Sequence, residues 1–198
     1  MDKPRSRPDT RGATVSTHHS PDAYYETGLA ILSDRGFGGL KLAEVCRRSG
    51  VTSGSFYHHF PKWSAYTTGL IEYWREERTV RLIASLDSEP DPWARLRHII
   101  EIGVSLPHGA EAAIRTWSHL DTAVRGVQAD VDRQRFDAVA SAVAEITGDR
   151  DAGDLFAHWA VYLLVGFEQI DLGSDTTALE QAINRLAGEI ESLIPAAE

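Results

Sequence analysis

The chain has 198 residues, 42% hydrophobic and 25% charged, the balance of a folded globular protein long enough for a core of its own. A single cysteine, Cys46, excludes an internal disulfide and a four-cysteine metal site; no stretch approaches the roughly 18 apolar residues of a membrane-spanning helix. The net charge of −9 is unevenly spread: residues 1–62 hold nine Lys/Arg and six Asp/Glu, giving +3, and the rest of the chain carries −12, so the amino-terminal end is the one suited to meet phosphate.

Residues 1–19 are rich in Pro, Arg, Ser, Thr and Asp and lack the apolar run of a secretory signal, so they read as a disordered arm and the cytoplasm is the expected compartment. Arg5, Arg7 and Arg11 within it are those of a solvated tail, the alternative being an arm laid in a minor groove. A first helix starts at Ser20-Pro21-Asp22, with serine as cap, proline at the first helical position and acid in the first turn. Gly36 and Gly38-Gly39 end it. A second covers about Lys41–Ser49, carrying Leu42, Val45 and Cys46 on one side, and stops at Gly50, where the turn wants a positive φ. A third, capped by Thr52 or Ser53, runs to about His59.

Pro61 opens a long helical segment, 61–86, and Ser88-Glu89-Pro90-Asp91-Pro92 breaks it. Helices are then predicted over 92–106, about 110–120, 122–147, 152–171 and 176–194; the last repeats Leu179, Ile183, Leu186, Ile190 and Leu193 at helical spacing. No alternating Val/Ile/Thr run demands a strand. The expectation is an all-α protein of about nine helices, with a helix-turn-helix head over 20–62 and a ligand-binding and dimerisation body over 63–198.

Three short helices in about 40 residues, with glycine in a tight turn before the third, follow the helix-turn-helix plan. The third helix of such a unit lies in a groove about 12 Å wide and must present small polar groups. Thr52, Ser53, Gly54 and Ser55 stand at its amino-terminal end, where free N–H groups face phosphate, and Tyr57, His58 and His59 add phenol and imidazole donors.

The run Gly36-Phe37-Gly38-Gly39-Leu40-Lys41-Leu42 followed by Val45-Cys46-Arg47-Arg48-Ser49-Gly50-Val51-Thr52-Ser53-Gly54-Ser55-Phe56-Tyr57-His58-His59-Phe60 resembles the head of the tetracycline-repressor (TetR) family. The resemblance implies a homodimer whose third helices read the halves of a palindromic operator in double-stranded DNA. It implies bodies paired through their last two helices, and release of DNA when a small-molecule effector, whose identity the sequence does not give, enters the body. Carried over by position, Ser53 and Ser55 face bases, Thr52, Tyr57 and His59 meet phosphate or sugar, Gly54 admits the backbone closely and Phe56 plugs the core. Lys41 stands where the family has a capping Thr or Ser and can still reach phosphate. Trp63 stands where the family has a lysine, so either Lys62 takes over that contact or Trp63 packs against the body.

In the body, Trp93, Trp117, Trp159, Tyr162 and Phe167 read either as core or as pocket walls, with His119, His158, Glu168 and Gln169 as polar groups beside them. The ligand candidates are Trp117, His119, His158, Trp159 and Tyr162, in a cavity expected between the helices at 92–120 and 152–171. His98 and Glu101 share a helix face, too few for a metal site, and no metal or cofactor is expected. No nucleophile, HExxH or phosphate-cradling glycine motif points to an enzyme. The rival reading is a helical dimeric ligand-binding or adaptor protein with a vestigial head; the retained head spacing and the charge split argue against it.

Overall fold

The structure, a computed structural model, describes residues 20–170 and 175–193. The predicted arm, with Arg5, Arg7 and Arg11, and Gly173-Ser174 of the last predicted break lie outside the described residues. In chain order the helices are α1 (Pro21–Gly39), α2 (Leu42–Ser49), α3 (Ser53–His59), α4 (Trp63–Arg75), α5 (Arg81–Ala84), α6 (Pro92–Ser105), α7 (His108–Ser118), α8 (Thr122–Thr147), α9 (Arg150–Gln169) and α10 (Thr177–Glu191). A π turn, Glu76–Val80, joins α4 to α5, and a 3-10 turn, Ser85–Ser88, follows. Residues 63–88 thus form one rod, which makes nine rods among the described residues and no strand.

Local chemistry sets most of these ends. Pro21 sits in the first turn of α1, although the Ser20 side chain makes no cap bond there. The Asp91, Asp121 and Asp149 side chains accept backbone N–H bonds that open α6, α8 and α9, satisfying donors a helix start would otherwise leave bare. Gly36 takes φ 64° and kinks the end of α1, and Gly148 takes φ 72° to close α8, values favoured only in glycine.

Two hydrophobic cores result. The first runs from Tyr24, Ile31 and Leu32 of α1 through Val45 and Phe56 to Tyr66, Leu70 and Trp74 of α4, then on to Ile114 and Trp117 of α7 and Val124 and Val131 of α8. It passes residue 62 without a break, so the short helices are anchored on the body. The second joins Leu96 of α6, Val139 and Val143 of α8, Phe156 and Ala157 of α9 and Ile190 of α10. Between α1 and α7 the approach is close. Phe37 stacks on Trp117 with centroids 4.8 Å apart, and a Cβ at Gly109 would sit 2.9 Å from the Ser33 carbonyl oxygen. A buried polar join lies beside them: Glu111, 2% exposed, accepts from Trp74 Nε1 at 2.7 Å and from Arg135 at 2.9 Å.

Candidate functional site

Gly50 adopts φ 67° after α2, and Val51 N–H donates to the Cys46 carbonyl at 3.0 Å, closing the turn. Thr52 caps α3: its Oγ1 accepts from Ser55 N–H at 3.2 Å and lies 3.2 Å from Ser55 Oγ. The inner side of α3 is pinned by Phe56, fully buried against Tyr66 and Phe60 at 5.2 and 5.0 Å between centroids. Its other side leaves Thr52, Ser53, Gly54, Ser55, Tyr57 and His58 exposed. His59 is half-buried, its ring 5.3 Å from that of Tyr24. One short helix therefore presents a row of small polar groups backed by a rigid aromatic anchor.

Charge around this face is of two kinds. Arg47 and Arg48 bond Glu44 at 2.7 and 2.8 Å, Arg35 stands 3.7 Å from it, and Arg48 also holds Asp34 at 2.7 Å. The bonds from Arg47 and then Arg48 hold the Glu44 carboxyl down at about 2. Lys41 precedes α2 and Lys62 precedes α4; both are exposed, and among the described residues neither makes an ion pair. The chain has only three lysines, and these two flank α3 in sequence. Trp63 turns inward, half-buried against Tyr66 and Phe56 at 5.0 and 6.0 Å. Cys46 is buried and its thiol is pushed up by that burial, which suits packing rather than reactivity.

A cavity of about 100 Å³, several times the roughly 10–15 Å³ a single water requires, lies among the π turn, α5, α6, α8, α9 and α10. Its walls are aliphatic residues such as Leu82, Ile99, Val139 and Leu186, with Phe156; only Arg78, Thr79 and Arg135 among the lining residues are polar. It is built without Trp117, His119, His158, Trp159 or Tyr162. Trp117 is turned toward the head by its stack on Phe37. His119 is exposed at the end of α7, and His158 is exposed with Nδ1 2.8 Å from the Asp154 carbonyl oxygen. Trp159 and Tyr162 are 42% and 66% exposed and line an open outer groove between α9 and α10. Sequence reasoning looked for aromatics and histidines, whereas the cavity is walled by residues indistinguishable by type from core. Arg78 and Arg135 stand in strongly charged stretches, so their type carried no signal either.

Glu168 is buried on α9 and faces His108 Nδ1 at 3.4 Å, while His108 Nε2 lies 3.1 Å from the Val104 carbonyl oxygen. Burial raises the Glu168 carboxyl against the pull of His108. Burial opposes the His108 imidazolium, but the Glu168 and Val104 bonds outweigh it and raise the group. Among the described residues no group of three or more His, Cys, Asp or Glu is placed to hold a metal, and no helix is long and apolar enough to cross a membrane.

Residues 25–62 match the sequence profile of the bacterial regulatory proteins of the tetR family. Over those residues the head is similar to that family. No curated protein matches it by sequence. Several solved structures share its fold. A putative transcriptional regulator from Saccharomonospora viridis, in complex with choline, is 16% identical, with 85% of this chain and 95% of that one covered and a TM-score of 0.71. A transcriptional regulator from Rhodococcus sp. Rha1 is 15% identical, with 91% and 100% covered and a TM-score of 0.72. A putative TetR-family regulator from Rhodococcus sp. is 21% identical, with 87% and 97% covered and a TM-score of 0.66. The tetR match thus falls on the helix-turn-helix, and the likeness of fold extends over the body. The proteins whose head profile and fold it shares are described as regulatory proteins or transcriptional regulators.

Proposed function

We propose that the protein is a repressor: a homodimer that sets one α3 in each half of a palindromic operator and leaves it when a small molecule fills the internal cavity. The observation that carries the DNA reading is the outer face of α3, small and polar from Thr52 to Ser55 with Tyr57 and His58 beyond, and Lys41 and Lys62, without an ion pair among the described residues, at the helix starts on either side. Ser53 and Ser55 are assigned to bases. Thr52, Tyr57 and His59 are assigned to phosphate or sugar, with Lys41 and Lys62 to phosphate, His58 to the rim and Gly54 to close backbone approach. The turned-in Trp63 supports Lys62 as the substitute for the family's lysine. The dimer reading is supported by α9, where Leu155, Trp159, Tyr162 and Leu163 are exposed, with Ile170 just after it exposed too and Leu193 exposed after α10, apolar surface that calls for a partner. The effector reading is supported by the cavity and by the choline-bound relative of the same fold.

The test is selection of bound sequences from a random DNA library, followed by titration of the winning site at several salt concentrations. Removing one phosphate-binding cation, as in Lys41→Ala or Lys62→Ala, lowers the salt slope by about one. Tyr57→Phe weakens all sequences alike, whereas Ser53→Ala changes base preference by about 1 kcal/mol, the low end for a short side chain. No selected palindrome, or unchanged binding in all four variants, refutes the assignment of α3. A monomer by light scattering at micromolar concentration refutes the dimer.

A further inference from the structure

The polar end of the cavity has an unusual composition. Inside a regular helix a threonine hydroxyl bonds the carbonyl four residues back; Thr27, Thr116 and Thr147 do so here, at 2.8, 3.0 and 2.9 Å. Thr79, 1% exposed and inside the π turn, does not, and its hydroxyl has no partner among the described residues. Its neighbour Arg78 has a buried Nε–H that is also unpartnered. Two orphan donors side by side, on residues that both line a cavity, are a cost the fold carries unless something fills that role.

The charge at this end decides which molecule can do so. Arg78 is paired with Glu26 at 3.1 Å and Arg135 with Glu111 at 2.9 Å. Each guanidinium is already neutralised, so no net positive charge awaits an anion. Among the described residues no Asp or Glu lines the cavity, so a cation would meet two arginines and aliphatic walls and lose its hydration without return. We propose that the cavity selects an uncharged, largely aliphatic molecule with one oxygen acceptor, of ketone, ester or lactone type, whose oxygen takes the Thr79 hydroxyl and Arg78 Nε–H bonds. This rests on the reading of the cavity as the effector site. It sets the chain apart from the choline-bound relative, whose ligand is a cation.

The test is calorimetric titration of the full-length protein with three probes of matched length: methyl octyl ketone, decanoate and decylammonium. The ketone binds at least about tenfold more tightly than either ion, because neither ion recovers its desolvation. Thr79→Val weakens the ketone roughly 2- to 10-fold, the worth of one hydrogen bond, and Thr79→Ser restores it. Ala160→Phe, which fills the cavity, abolishes binding; circular dichroism verifies its fold, and Ala187→Phe replaces it if it does not fold. Tighter binding of decanoate or decylammonium, lost in the cavity-filling variant, overturns the ligand class and leaves the effector cavity standing. So does ketone binding indifferent to Thr79→Val. Binding indifferent to cavity filling, or no binding of any probe, overturns the cavity reading itself.

Discussion

Around Phe56 the interior is aromatic, and around Leu96 it is aliphatic. In the first core the rings of Tyr24, Phe56, Phe60 and Tyr66 meet at 5.0 to 5.9 Å between centroids, mostly edge to face, a directional arrangement worth more than area burial alone. Its polar tips are fixed too: Tyr66 donates to the Tyr24 carbonyl at 2.9 Å and Trp74 to Glu111 at 2.7 Å. The second core is built of Leu96, Val139, Ala142, Val143, Ala157 and Ile190 with Phe156, and borders the cavity. Interlocked rings resist displacement, whereas methyl-lined walls beside a void repack at small cost. The difference suits the proposed roles, a short helix held in one pose and a region that adapts to a ligand.

The comparison breaks first at Phe56. Phe56→Ala should cost about 3–5 kcal/mol, measured by urea denaturation. Leu96→Ala should cost about 2 kcal/mol, the low end for a buried leucine, because neighbours can relax into the existing space. If the two losses match, the cores are equally rigid and the contrast fails. Gly109→Ala should cost about 1–2 kcal/mol, since the new methyl meets the Ser33 carbonyl oxygen at 2.9 Å as well as its Oγ at 2.7 Å, and only the hydroxyl can turn away. No loss there would mean that α1 and α7 are less tightly joined than their geometry indicates.

The smallest effects are those of pH, and they run in opposite senses in the two regions. Glu44 is held below its ordinary 4.5, at about 2, so its stabilisation is complete above 4.5 and is lost as pH falls toward 2. His108 and Glu168 are both raised, above 6.5 and 4.5. The stability each contributes is complete below those values and is lost as pH rises through the folded pKa. The melting temperature should therefore fall on both sides of a plateau. Glu44→Gln should flatten the acid limb alone, and His108→Gln should remove the His108 part of the other limb while leaving the part due to buried Glu168. A single substitution that flattens both limbs would show that the regions are not separately tuned.

The sequence carried the head and most helix limits. The glycine turn at Gly50 and the Thr52 cap are decided by neighbours a few residues away, so their spacing is legible. The predicted 122–147 coincides with α8, and 92–106 lies within one residue of α6. The π turn was not legible, because Glu76-Glu77-Arg78-Thr79-Val80 has the composition of an ordinary helix. The cavity was not legible either. Its walls come from several elements far apart in the chain, and Leu, Ile and Val read the same whether they face a neighbour or a void. Trp159 and Tyr162 lie on an outer groove instead of the internal cavity, because large aromatics suit an outer partner surface as well as a pocket. The face of α3 is contiguous in sequence, which is why it could be read at all.

The meeting of Gly109 with Ser33, with Phe37 laid on Trp117 beside it, has a consequence for amide hydrogen exchange. Leu29, Ile31 and Leu32 lie in α1 within the same core as Ala110, Ala113 and Ile114 of α7. Opening one helix to solvent strips the cover from the other. Their amides should share one protection factor and one denaturant dependence, as members of a single foldon, while those of α6 and α10 around the cavity exchange through smaller, earlier openings.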